Sequence, residues 1–339
     1  MATRRSSALL GLLLLGIATT PLTVAADPVA DFYRGKTLNI LVGVGAGGEY
    51  DLLARTLAKH IGRHLPGSPT VVTQNMVGAS GLKMANYMAT QAPQDGTYIG
   101  VIQNALIAAQ AAGLPGIQFD AAKFRWLGSI APVVETMAVW HTTGVKTIED
   151  ARKRETIAGS TARGAITHGF PALMNELIGT RFKIVSGYNG GNDINLAMER
   201  GEVEARNNSW SSWKTTKAAW LKDNKITIIA QAGPRAPDLD APSLEDMART
   251  PDERQIIELV VSGTQLGRPF TITPDPPADR VKALRDAFDA VMKDGDFLAE
   301  AASLNFEVRP VSGEALDKIA EKVVSTPKHL AARARQFLE

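Results

Sequence analysis

The stretch Leu38-Asn39-Ile40-Leu41-Val42-Gly43-Val44-Gly45-Ala46-Gly47-Gly48-Glu49-Tyr50-Asp51-Leu52-Leu53-Ala54-Arg55 decides how this chain folds. Leu38 to Val42 is an apolar run of strand length, and the glycines after it mark a turn. Beyond Asp51, Leu53, Leu57, Ile61 and Leu65 recur every four residues. That spacing predicts a helix with one apolar face on a sheet, stopped by Pro66-Gly67. A strand–turn–helix junction of this kind aims unpaired backbone N–H groups and the positive end of a helix dipole at one point. It is a seat for an anion.

Two chemistries use such a seat: nucleotide enzymes and binders of small carboxylates. Gly43-x-Gly45-x-x-Gly48 formally fits the dinucleotide fingerprint, which also requires an acidic residue about 20 positions on, for the ribose. The second strand, Thr70 to Thr73, instead runs into Gln74-Asn75. No lysine follows the glycines, which excludes a nucleotide P-loop. The carboxylate reading stands.

Strand and helix patterns alternate through the first half, with Gly78-Ala79-Ser80-Gly81 opening a helix that bears Leu82, Ala85 and Met88 and a third strand over Thr97 to Ile102. Such alternation predicts a mostly parallel sheet covered by helices. From Leu127 to Val139 two short extended runs follow without a helix between them, as in a chain crossing to a second lobe. Beyond come a helix over Ile148 to Lys153, a strand over Thr156 to Gly159, a polar loop from Ser160 to Gly169, and a strand over Phe182 to Val185. Ser186-Gly187-Tyr188-Asn189-Gly190-Gly191-Asn192-Asp193 then repeats the opening junction, predicting one anion seat per lobe. Ile256 to Val261 reads as the crossing back. Helices with Val281, Leu284, Phe288 and Val291, and with Leu316, Ile319 and Val323, close the chain.

Residues 1–26 read as an export signal: Arg4 and Arg5, an apolar core from Ala8 to Ile17 too short to span a bilayer, and Val24-Ala25-Ala26 for cleavage after Ala26. A periplasmic location follows. The whole chain carries 37 basic and 35 acidic residues, and losing Arg4 and Arg5 leaves the two in balance. That balance argues against nucleic acid, and no later apolar run predicts a membrane-embedded segment. Zero cysteines exclude disulfides and thiolate chemistry. A core must hold the fold together, most naturally in two lobes: residues 27–128 plus 258–339, and residues 129–257.

Few residues suggest catalysis. His60 and His64 are four apart without a third metal ligand, so a solvated helix face is expected and no metal or cofactor is called for. His168 ends a loop after a strand, but no Gly-x-Ser-x-Gly elbow accompanies it. Arg163, with its two-pronged guanidinium, is a candidate carboxylate partner. Asn207 and Asn208 point polar amides toward a cleft, and Trp210 and Trp213 read as interlobe core.

Together these segments resemble the tripartite tricarboxylate transporter receptors, the Bug or TctC-like extracytoplasmic binding proteins. The family's Pro-Gly-Gly-x-x-Asp-x-x-Ala-Arg reads here as Ala46 to Arg55, and its Asn-Arg-Pro-Gly-Ala-Gly-Gly as Asn75 to Gly81. Its Pro-Asp-Gly-Tyr turn appears as Gln94 to Thr97, and its loop ending in histidine as Ser160 to His168. Pro-Tyr-Lys-Gly and Gly-Gln-Val-Asp match Gly187 to Gly190 and Gly201 to Glu204.

The resemblance implies an α/β, type II periplasmic binding protein fold with a ligand cleft between two lobes. It implies a non-enzymatic, monomeric receptor without cofactor that delivers a small organic acid to a two-subunit membrane permease. The implied contacts are Gly47, Gly48, Tyr50 and Asp51; Gly78, Ala79 and Gln103; Ser160, Thr161, Arg163, Ala165, Thr167 and His168; Tyr188, Asn189 and Gly190; and Asn208. Departures from the family pattern shape the expected ligand. Gly43, Gly45 and Ala46 replace prolines, and Glu49 adds a negative charge beside the seat unless it points outward. Arg163 replaces a small or amide residue, and Asn208 an aspartate. A dicarboxylate or related acid is therefore expected. The alternatives are an exported enzyme acting on a small carboxylate with His168 as base, or a ligand sensor.

Overall fold

The computed structural model describes residues 27–338, so the expected signal, residues 1–26, lies outside the described residues. Eleven strands are described: β1 (Thr37–Val42), β2 (Thr70–Asn75), β3 (Tyr98–Val101), β4 (Arg125–Ser129), β5 (Glu135–Trp140), β6 (Thr156–Ser160), β7 (Phe182–Ser186), β8 (Ala205–Ser209), β9 (Ile226–Ala232), β10 (Pro269–Ile272) and β11 (Val311–Ser312). They form two sheets, ordered β11-β4-β10-β3-β1-β2 and β7-β6-β8-β5-β9. Each has a parallel half built by strand–helix alternation, β2-β1-β3 and β7-β6-β8. Each is completed by antiparallel strands, β10, β4 and β11 in one and β5 and β9 in the other. The sheets are therefore mixed. The chain passes from β4 to β5 and from β9 back to β10, so both sheets receive strands from the crossings.

The helix Glu49–His64 lies where the apolar stripe predicts. Leu53, Leu57 and Ile61 are buried with Leu38, Ile40 and Phe288 in one core, each contributing about 1.5–3 kcal/mol as an upper estimate. Its outer turns are tied to the segment after helix Ala278–Val291. His64 reaches Asp294 at 2.6 Å, and His60, buried, reaches Glu300 at 2.8 Å. The solvated histidine face expected from sequence is thus corrected: a neighbouring helix, Gly295–Ser303, covers it.

Two further expectations change. Ile256 to Val261 does not cross back; the segment Pro251–Val260 is a helix capped by the Thr250 side chain, with Pro251 opening it. The crossing strand is β10. The polar loop after β6 ends at Ala165, because Ile166–Leu173 is already helical. A helix beyond those anticipated, Lys328–Leu338, ends the described chain and packs on the 166–173 and 251–260 helices. The Leu338 carbonyl accepts from the Gly164 amide at 2.6 Å.

Candidate functional site

Open α/β sheets place ligand sites beyond the carboxyl ends of their parallel strands. Here the loops after β1, β6 and β8 meet across the two sheets. The Gly45 amide donates to the Asn189 carbonyl at 3.2 Å, joining the two glycine junctions directly. Ser80 and Thr161 share a hydroxyl hydrogen bond of 2.6 Å, and Ser209 donates to Glu49 at 2.8 Å. Between these contacts lies a cavity of about 70 Å³, several water molecules' worth.

Three helices begin at this cavity. They start at Glu49, Ile166 and Gly191, after Gly48, Ala165 and Gly190, and none has a side-chain cap. Their first N–H groups and dipoles are left for whatever occupies the space. Gly43 permits the first junction to form, since a Cβ there would stand 2.6 Å from the Gly81 Cα.

Of the residues expected from sequence, Gly48, Tyr50, Gln103, Thr161, Thr167 and Asn208 line the cavity. The others stand behind or beside it. The Gly47 amide donates to Asp51, which also accepts from Asn75 and Arg55, so the buried carboxylate staples the first turn. Burial alone would raise the Asp51 pKa, but these three partners hold it below the ordinary value. Gly78 and Ala79 form a turn at positive φ. Ser160 and Thr161 bond Thr167, and Ala165 is the residue before the helix. Arg163 is exposed and outside the cavity lining. His168 lies 3.4 Å from Ser186 and is likewise off the lining; burial, then Arg163, lowers its pKa. Tyr188 packs against the hydrophobic cluster that holds Ile194 and Trp213. Asn189 and Gly190 make the contact with Gly45.

Four charged side chains line the cavity, all buried: Glu49, Glu135, Arg206 and Arg268. Arg268 grips one Glu49 oxygen through two nitrogens, each at 2.8 Å, and lies over the Tyr50 ring. Glu49 thus points inward, and its charge is neutralised there. Burial opposes the Arg268 cation, but Glu49, Tyr50 and Glu135 outweigh burial and hold its pKa above normal. Glu135 is looser, 3.9 Å from Arg268, and burial pushes its pKa up.

Arg206 bonds the carbonyls of Gly191 and Asn207 and the Asn195 side chain, with its guanidinium over Trp213. No carboxylate of the described residues lies within ion-pair distance of it. Burial pushes its pKa down to about 9, with Glu135 opposing. Two amide atoms are also orphaned, Asn207 Oδ1 and Asn208 Nδ2. Sequence reading missed Arg206, Glu135 and Arg268 as site residues. The sequence gives no sign of them: β8 reads Ala-Arg-Asn-Asn-Ser, yet every residue in it is buried, and so polar a strand is buried only around something polar.

Among the described residues no helix is long and apolar enough to cross a membrane, and no group of three or more histidines or carboxylates could hold a metal ion.

No family model matches the chain. A curated relative, the UPF0065 protein in the gbd 5′ region of Cupriavidus necator, is 24% identical over 331 residues, covering 93% of each chain. The periplasmic binding protein BugD superposes with a TM-score of 0.73 at 20% identity, over 91% of this chain and 99% of that one. An R. palustris protein solved with adipate gives 0.68 at 20% identity, over 89% and 97%. MatC of Rhodopseudomonas palustris, solved with malate, gives 0.68 at 17%, over 87% and 99%. The chain therefore has the two-lobed type II fold of periplasmic binding proteins. BugD shares this fold.

Proposed function

We propose that this chain is an exported, monomeric receptor of the Bug and TctC type that binds a small organic acid between its lobes. It hands that acid to a two-subunit tripartite-tricarboxylate permease. The observation that carries this reading is Arg206: a buried cation without a carboxylate partner, at a cavity into which three helices open uncapped. Burying such a charge is costly unless an anion completes it, and a ligand carboxylate supplies one. The structural neighbours solved with adipate and malate support a carboxylate in this fold. His168, the base required by an enzymatic reading, stands away from the cavity, which favours the receptor. The expectation of a dicarboxylate leaned on Arg163, and the cations at the cavity are others.

A thermal-shift screen of residues 27–339 against mono-, di- and tricarboxylates tests the proposal. A ligand at a hundredfold excess over its Kd stabilises by about 2.7 kcal/mol. No shift with any acid, beside a shift with neutral amides or sugars, would sink it.

A further inference from the structure

If the protein is a receptor for an acid, on which reading the choice of ligand rests, its cavity walls select among acids. With Glu49 committed to Arg268, the walls keep one cation, Arg206, and one loosely held acid, Glu135. The two lie close enough for each to act on the other's charge. The orphaned amide atoms divide in the same way. Asn207 Nδ2 donates to Glu135 and to the Thr136 carbonyl, both at 3.1 Å. Turning that amide over would set oxygen against two oxygens, so its orientation is fixed. Asn207 Oδ1 is then a buried acceptor with no donor, while the Asn208 amide, held by no side-chain hydrogen bond, can turn its N–H toward a ligand. Leaving either unmade costs free energy that a fitting ligand recovers.

From this pairing we infer that the ligand is a monocarboxylate carrying its own hydrogen-bond donor, a hydroxyl or an ammonium, rather than a dicarboxylate. Its carboxylate meets Arg206, Asn208 and the open helix starts. Its donor group meets Asn207 Oδ1 and Glu135. A second carboxylate would bring acceptor against acceptor and negative against negative beside Glu135. A plain aliphatic acid would leave Asn207 unanswered.

Titration calorimetry on residues 27–339 with matched four-carbon acids separates these cases: butyrate, succinate, and the 2- and 4-substituted hydroxy- and aminobutyrates. One donor-bearing acid should bind at least about tenfold tighter than both butyrate and succinate. Whether that acid carries hydroxyl or ammonium identifies the donor. Succinate or butyrate binding as tightly as every substituted acid would overturn the inference and leave the receptor reading intact. Binding by none of the carboxylates would overturn both. In Glu135→Gln, succinate should gain on the donor-bearing acid by about tenfold. An unchanged ratio would also count against the inference, since nothing at Glu135 would then be rejecting the second carboxylate.

Discussion

The Gly45 amide and the Asn189 carbonyl, 3.2 Å apart, join the two glycine junctions that each sheet extends toward the cleft. Gly190, beside this bond, is in extended backbone that any residue adopts, yet its Cβ position lies only 3.2 Å from the Gly45 nitrogen. Space, not backbone conformation, requires the glycine.

Gly190→Ala should therefore act on lobe closure and not on either lobe alone. Ligand affinity is expected to fall about three- to tenfold, while the unfolding free energy of the free protein stays constant within about 0.5 kcal/mol. Calorimetry beside a denaturation curve reads both quantities. Unchanged affinity would mean that the lobes do not meet here when ligand is bound.

Arg206→Met should remove the anion's main partner. Charge-assisted hydrogen bonds contribute about 1.5–3 kcal/mol, so affinity for the bound acid should fall by more than about tenfold. Folding stability should move less than affinity, because removing a buried, unmatched charge offsets the donors lost to Gly191 and Asn207. A stability loss as large as the affinity loss would make Arg206 a scaffold residue.

Arg268→Met leaves Glu49 and Glu135 buried together with no cation between them. Removing one partner of a buried pair costs about 3–5 kcal/mol. Adding Glu49→Gln to the same chain should recover a large part of that loss. A double-mutant cycle by urea unfolding measures the recovery, and strict additivity would contradict the pairing.

Acid should loosen the contact between the 49–64 and 295–303 helices. Arg63, then His64, hold the Asp294 carboxyl well below the usual range. A carboxylate whose folded pKa is depressed adds stability that is complete above its unfolded value, about 3.9, and is lost as pH falls toward the folded one. Measured from about pH 5 downward, the difference in urea midpoint between wild type and Asp294→Asn should therefore shrink below about pH 4. A difference still undiminished at about pH 2 would exclude this origin.

Much of the fold was legible because its signals are local. The stripe from Leu53 to Ile61 and the glycines at both junctions each act within a few residues, and the structure has both junctions where the sequence implied them. The site was legible only in its loops. Glu49 reads as a liability in sequence because the arginine that neutralises it lies 219 residues away. Arg163 drew notice because it sits in a recognisable loop, whereas Arg206 sits in a strand whose five polar or small residues conceal its burial. Buried charge is a property of tertiary pairing, and no spacing rule carries it. The helix over Pro251–Val260 was misread for a related reason: a run of Ile, Leu and Val is strand-like until its Thr-Pro start is weighed.

The position of Trp213 has a practical consequence. Its ring nitrogen donates to Thr136 at 3.0 Å, and its face lies 5.4 Å from the Arg206 guanidinium. Indole emission follows the electric field around the ring, and an anion arriving at Arg206 changes that field. Only five tryptophans contribute to the signal, and this one is fixed in place and shielded from solvent. Occupancy should therefore shift the colour of the protein's own emission, a readout that needs no dye.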